Sequence, residues 1–315
     1  MMKNTLIRWT TLMFAFFYMT ALVIGQSGKE SPVIKSADDI LKDQEQDRVL
    51  IDKIIPEEAT AAPKKPRRLL IFDLNVNYGG HKSIPHASYA FTKMGEATGA
   101  FETVITSDTM AFQKNYLKQF DAVFFNNTVG NQFQDEKLRK NLQDFVKKGG
   151  GLMGVHGASV AFCFWPGAKD DWPEFGVMLG ARGSSHRENK EHVFIKVEDP
   201  NHTVNQVFKK SYFEYEDEFY RFKDPYSRDL VHVLLSFDTN KTDMNQGRGY
   251  GDVVREDGDY PIAWVKQYGK GKVFHCTIGH HPEVFMDPMM LQFYLDALQF
   301  VLGDLEGSVV PSSQL

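Results

Sequence analysis

From Arg67 onward the chain repeats one pattern. A short unbroken apolar run is followed by a polar or glycine-rich stretch, and then by a segment whose apolar residues fall three and four apart. Unbroken runs bounded by turn residues mark strands buried on both faces, and the three-and-four spacing is that of an amphipathic helix. The pattern predicts strands over 68–74, 122–126 and 152–155, and Glu102 to Thr106 alternates like a further strand. It predicts a helix from Ser83 to Thr98, capped by the Ser83 hydroxyl, with Pro85 in the first turn, where no hydrogen bond is lost. A second helix is expected over 135–148. Leu138, Leu142, Phe145 and Val146 share one face, acidic residues open it, and Lys147, Lys148 and Gly149 close it. Strands alternating with helices imply parallel βαβ units, hence an α/β fold with a doubly wound, mostly parallel sheet of the flavodoxin-like kind.

The second half is less regular. Strands are expected over 192–197 and 231–237, and a hairpin over 262–268 and 272–278 turns at Gly269-Lys270-Gly271. Asp287-Pro288 opens a last helix to Leu302 with Leu291, Leu295 and Leu298 on its apolar face. The connections over 162–171 and 241–259 are long, and long connections in a compact domain are functional or disordered.

The start of the chain carries a different pattern. Lys3 and Arg8 precede an apolar run from Trp9 to Ile24, and Val23 and Gly25 are small enough for a signal peptidase site. Residues 1–25 therefore read as a signal peptide, which implies a periplasmic or secreted protein with no stable membrane anchor after cleavage. An uncleaved anchor is the competing reading. Residues 26–66 are polar and charged and read as a linker or surface strap, with Leu41, Val49, Leu50 and Ile54 able to give it a short amphipathic helix. The domain then runs over 67–304, with a tail at 305–315.

Composition narrows the function classes. A net charge of −5 leaves no basic footprint for nucleic acid. Cys163 and Cys276 permit at most one disulfide, and their apolar surroundings favour buried free thiols; there is no CxxC and no zinc-finger spacing. Aromatic residues are abundant, and they are expected mainly to fill the core, although they also suit a sugar pocket.

Ligands of an open parallel sheet bind beyond the carboxyl ends of its strands. The segments there are Asn75 to Ser83, Asn126-Asn127-Thr128, His156 to Ser159 and Gly279-His280-His281, each with polar or ionisable side chains. Gly149 to Gly157 has the form of a nucleophile elbow, a strand turning sharply into a helix, with His156 at the apex. A neutral imidazole there can accept a proton. The run Phe213 to Tyr220 alternates acids with aromatics. It reads either as a strand with a solvated acidic face or as a carboxylate turned into an aromatic pocket, where desolvation would raise its pKa.

The stretch from about Arg68 to Gly303 resembles the ThuA-like (trehalose-utilisation) family. The resemblance rests on Gly80-His81-Lys82-Ser83-Ile84-Pro85, Gly149 through Gly157, Asp199-Pro200-Asn201-His202, Asp217-Glu218-Phe219-Tyr220, and Pro261-Ile262-Ala263-Trp264 through Gly269-Lys270-Gly271-Lys272-Val273 to Gly279-His280-His281, in that order and spacing. It implies a class I glutamine amidotransferase-like fold. Gly154-Val155-His156 stands where an amidotransferase has Gly-x-Cys, so no glutaminase activity is expected, and Cys163 lies too far along to substitute. It also implies a small-molecule carbohydrate partner and chemistry on a glycoside or keto sugar. A keto group at C3 acidifies the C2 proton, so a base, a carbonyl-polarising group and an acid suffice to eliminate the C1 substituent.

Edge position and resemblance together name His81, His156, Glu218 and His280 as the expected catalytic residues. Asn126, Tyr220, Asp217, Ser83 and His281 are expected to bind substrate. No cofactor and no metal site are expected, since no HExxH or similar signature is present. Two other readings stand beside this one: a non-catalytic sugar-binding protein, and a metal-assisted hydrolase, because three histidines and a carboxylate are suitable ligands. A homo-oligomer is compatible with the sequence.

Overall fold

The computed structural model describes residues 31–164 and 170–315. The expected signal segment, 1–25, lies outside them. In chain order the strands are β1 (Arg68–Phe72), β2 (Glu102–Thr106), β3 (Ala122–Asn126), β4 (Gly151–Val155), β5 (Arg182–Arg187), β6 (Glu191–Val197), β7 (Tyr212–Asp217), β8 (Tyr220–Lys223), β9 (His232–Phe237), β10 (Gly249–Tyr250), β11 (Pro261–Tyr268) and β12 (Gly271–Cys276). The helices are α1 (Ala37–Ile40), α2 (Glu45–Ile54), α3 (Ile84–Thr98), α4 (Lys114–Leu117), α5 (Glu136–Lys147), α6 (Pro173–Leu179) and α7 (Pro288–Leu302). Among the described residues no helix is long and apolar enough to cross a membrane.

Nine strands form one sheet in the order β2-β1-β3-β4-β12-β11-β9-β6-β7. It is parallel from β2 to β12 and antiparallel from there to β7. The parallel half alternates between two cores, as the two-residue period of a strand requires. Leu69 and Ile71 face the core built with α3 and α7, while Leu70 and Phe72 face the one built with α5 and α6. The aromatics largely fill these cores: Phe72, Phe112, Phe133, Phe162 and Phe175 make edge-on or tilted contacts at 4.7–4.8 Å. Asp287 caps α7 by accepting the Met289 N–H, and Asp135 caps α5 through Lys137. Ser83 precedes α3 but makes no cap bond; its hydroxyl donates instead to Gly279 O at 2.7 Å.

Residues 31–66 form a strap docked on the domain. Lys35 pairs with Ile105 beside β2, and its ammonium lies 2.7 Å from Asp73. Leu41 and Ile51 are fully buried in the main core, whereas Val49 and Leu50 are exposed. The inward side of α2 is set by Ile51 and by Asp47 and Asp52, which bond His86 and Tyr89 of α3. Apolarity alone does not define that face, because Asp47 and Asp52 share it with Ile51 while Val49 and Leu50 point outward.

A small antiparallel sheet, β10-β5-β8, stands beside the large one. It is joined to it by a buried ion pair: the Arg221 guanidinium of β8 donates two parallel hydrogen bonds, both 2.6 Å, to Glu191 of β6. Bidentate, charge-assisted bonds fix orientation as well as distance. Phe219 is buried at the same corner, edge-on to Phe237 at 5.3 Å. These anchors hold the short link between β7 and β8, and Glu218 is on that link.

Candidate active site

His156 stands at the end of β4 with φ +46°, a left-handed backbone that a non-glycine residue adopts at a cost of about 1–3 kcal/mol. The 3-10 turn His156–Val160 follows directly. This is the expected elbow, and it drives the imidazole away from the sheet. Gly157 next to it leaves little room for a side chain: a Cβ there would come within 3.1 Å of both Asn127 O and His81 Cε1.

His81 follows β1, His280 follows β12, and Glu218 comes from the β7–β8 link. The four side chains converge. One donor atom from each lies within 4.8 Å of every other. His156 Nε2 is 3.4 Å from Glu218 Oε1 and 3.2 Å from His280 Nδ1, and His280 Nδ1 is 3.5 Å from Glu218 Oε1. The rings of His81, His156 and His280 meet nearly edge to face at 4.8–5.1 Å. His156 Nδ1 lies 2.8 Å from Thr277 O, which can only accept, so Nδ1 carries the proton and the Nε2 lone pair faces the cluster.

The surrounding loops are tied together by two residues. Asp217 is fully buried, and its carboxylate accepts the backbone N–H groups of Gly279, His280 and His281 at 2.6, 3.1 and 3.3 Å. Asn127, itself left-handed at φ +54°, donates to Gly279 O and Ser83 Oγ and accepts from Gly157 N. The loops after β1, β3, β4 and β12 are thus one hydrogen-bonded unit.

Burial alone would raise the Glu218 carboxyl, but the close approach of the His156 and His280 imidazoles outweighs it and holds the group well below the usual carboxylate range. The expected raised carboxylate of this run is its neighbour Asp217, fully buried and pushed up by desolvation, whereas Glu218 goes the other way because imidazoles surround it. Burial works against the charged form of His280, and Glu218 more than compensates, raising it. His81 is pushed down to about 2, first by burial and then by the neighbouring His156 and His280. A lowered imidazole, a raised imidazole and a lowered carboxylate thus share one site.

The expected substrate contacts divide. Tyr220 packs against His156 at 4.9 Å, and burial together with Glu218 raises its phenol. His281 borders His280 at 4.7 Å and bonds Asn189 O. Three others are corrected by burial. Asn126 is under α3, donating to Ile84 O and Ser88 Oγ. Ser83 and Asp217 are likewise fully buried and bonded to loop backbone. Ser83 and Asp217 hold loop backbone and Asn126 holds the start of α3.

Two residues escaped the sequence reading. Asn127 was adjacent to the one chosen; strand alternation places Asn126 on the helix face and leaves Asn127 to turn inward. His186, in β5, has Nδ1 3.2 Å from Glu218 Oε2 and its ring stacked on Tyr250 at 5.1 Å. Its strand, Arg182–Arg187, is polar throughout and carries no apolar signal.

The comparisons agree with this architecture. Residues 68–301 match the family profile ThuA, described as trehalose utilisation. No curated protein sequence matches the chain. A ThuA-like protein of Bacteroides uniformis is similar in structure, with TM-score 0.60 and 22% identity, covering 76% of this chain and 93% of its own. One from Parabacteroides merdae has TM-score 0.54 at 17% identity, covering 78% and 93%. A cytoplasmic protein of Salmonella typhimurium has TM-score 0.50 at 16% identity, covering 75% and 98%. With the family profile spanning most of its length, the chain belongs to the ThuA family.

Proposed function

We propose that this protein is a carbohydrate-active enzyme that transforms a glycoside or keto sugar at the His81–His156–Glu218–His280 cluster. The observation that carries the reading is the convergence of these four residues, from four separate elements, at the carboxyl edge of the parallel strands. Membership of a trehalose-utilisation family supports a sugar as the substrate. Aromatic surface for a pyranose face is at hand in Tyr78, Tyr220 and Tyr250. The amidotransferase reaction has no place here, because the elbow presents an imidazole where a thiol would attack.

The protein acts, on this reading, after export and cleavage behind Gly25. N-terminal sequencing of protein from the exporting host checks that point: an intact, cytoplasmic Met1 chain would reject it. The reaction is tested by incubating the purified chain with glycosides and their 3-keto forms and analysing products by mass spectrometry. Loss of the C1 substituent from a keto-glycoside is the expected result. Binding of these sugars without conversion would assign the protein to the sugar-binding class instead.

A further inference from the structure

We propose that His81, His156, Glu218 and His280 form a binding site for a divalent transition-metal ion of the zinc class. This rests on, and deepens, the reading of the cluster as the reaction centre. Zinc bonds to imidazole nitrogen and carboxylate oxygen are about 2.0–2.1 Å, so donors at the corners of a tetrahedron around such an ion lie roughly 3.3–3.4 Å apart. The distances among His156 Nε2, His280 Nδ1 and Glu218 Oε1 are 3.2, 3.4 and 3.5 Å, which makes them one face of that tetrahedron. His81 brings the fourth donor within 4.8 Å of the rest.

Orientation agrees with distance. A metal-binding histidine typically donates its second ring N–H to a carbonyl or carboxylate, which fixes the tautomer and aims the other nitrogen at the ion. His156 does this through Thr277 O at 2.8 Å. Thr277 is held in turn, its hydroxyl accepting the Tyr220 N–H at 3.0 Å. The His280 loop is pinned by three N–H bonds to buried Asp217. The donors are therefore set before any ion arrives.

The donor set also selects the ion. Three imidazoles and one carboxylate suit zinc, cobalt, nickel or iron rather than calcium or magnesium, which require oxygen ligands. His280 and His186 are partly exposed, at 19% and 28%, so a sugar oxygen would reach an ion from their side. With four protein donors in place, a bound ion would polarise a substrate carbonyl only by taking its oxygen as a fifth ligand. The ligands are separated by 75, 62 and 62 residues along the chain (81 to 156, 156 to 218, 218 to 280). No short spacing motif exists for a sequence search to find, which is why no metal was expected.

The test uses the full mature chain, stripped by chelator dialysis and titrated with cobalt(II) and zinc. The expected result is one equivalent bound, with the visible absorption of low-symmetry cobalt, and displacement by zinc. His156→Ala and Glu218→Gln should each weaken binding at least about a hundredfold, while His202→Ala, outside the cluster, should bind as the parent does. The wild-type titration stands even if a ligand variant fails to fold. No stoichiometric uptake of cobalt, zinc, nickel or iron, or uptake unaffected by both ligand variants, would overturn the proposal. The sugar screen, run with and without chelator, separates the two readings. Turnover by a chain that binds no metal retains the carbohydrate enzyme and removes the metal. Stoichiometric metal binding with no conversion of any keto-glycoside retains the metal and removes the catalytic reading.

Discussion

Two places in the molecule set histidines against a carboxylate, and they differ in what their ring nitrogens do. In one, His202 and His232 pack with ring centroids 5.1 Å apart, and Asp199 Oδ2 lies 3.0 Å from His232 Nε2. His202 accepts the Val204 N–H at Nδ1 and donates to Ser308 O from Nε2, so both nitrogens are bonded to backbone and the ring fastens the C-terminal tail. In the other, His156 bonds backbone with Nδ1 only, and its Nε2 lone pair faces His280 and Glu218. Burial does not distinguish them, since His202 is 3% exposed and His156 is not exposed at all. Nor does motif membership, because both belong to segments that carry the family resemblance. A histidine saturated by backbone is a fastener; one left with a directed lone pair can do chemistry.

The comparison breaks most sharply under substitution at the two sites. His156→Ala and Glu218→Gln should each lower turnover of the sugar substrate per folded molecule by a factor on the order of 10² or more. His202→Ala should do the opposite. It leaves the Val204 N–H and Ser308 carbonyl without partners and should cost about 2 kcal/mol, while activity per folded molecule stays at the parent level. Denaturant unfolding and active-fraction kinetics on the three variants decide this. Equal loss of activity at both sites would dissolve the distinction.

Asp217 refines it. Although adjacent to Glu218, it acts through the loop. Asp217→Asn replaces one carboxylate oxygen with an NH2 group facing backbone N–H donors, which should cost about 1.5–3 kcal/mol. Hydrogen exchange should show lost protection over 279–281, accompanied by lower turnover. Full activity with an unprotected loop would show that the site does not need the loop held.

Much of this architecture was legible in the apolar pattern. The runs at 68–72, 102–106, 122–126 and 151–155 are strands because they are short and mostly buried, and the histidines that follow β1, β4 and β12 share an edge because parallel strands end there. Legibility failed where contacts are polar or distant. β5 carries His186 on a strand with no apolar residue, and α2 chose its inward face partly through Asp47 and Asp52. The acidic run 212–217 is a strand with exposed Glu214 and Glu216, as its alternation indicated, but nothing in its spacing shows that Glu218 turns to meet three histidines. That meeting depends on the Glu191–Arg221 pair between two sheets.

A third kind of histidine gives a pH signature. His275 is fully buried between Trp264 and Phe222, with centroids at 4.7 and 5.6 Å, and burial pushes its imidazole down to about 3, with His156 contributing. Its folded value is depressed below the unfolded value near 6.5, so below that pH the unfolded chain binds the extra proton. Stability is therefore complete above pH 6.5 and declines as pH falls from there toward 3, by up to about 1.4 kcal/mol per pH unit for this residue. Urea unfolding of the metal-stripped chain between pH 7 and 5 should show the decline, reduced by about one proton in His275→Leu. An unchanged slope in that variant would remove His275 from the account.

The smallest expected effect is at the other residue near the elbow. Cys163 lies seven positions beyond the apex, its Sγ 2.7 Å from Val160 O, and burial raises its thiol above the ordinary value although Arg182 acts in the other direction. A nucleophilic cysteine needs the thiolate, which a helix N-terminus or a nearby cation would favour. Here the apex position belongs to His156, and the thiol is bonded to a carbonyl on the chain leaving it. Cys163→Ala should thus leave sugar turnover within about twofold of the parent and stability within about 1 kcal/mol, as loss of one weak neutral hydrogen bond allows. Neither protein should release ammonia from glutamine. Glutamine hydrolysis that disappears in Cys163→Ala would restore the amidotransferase reading and displace His156 from the centre of the site.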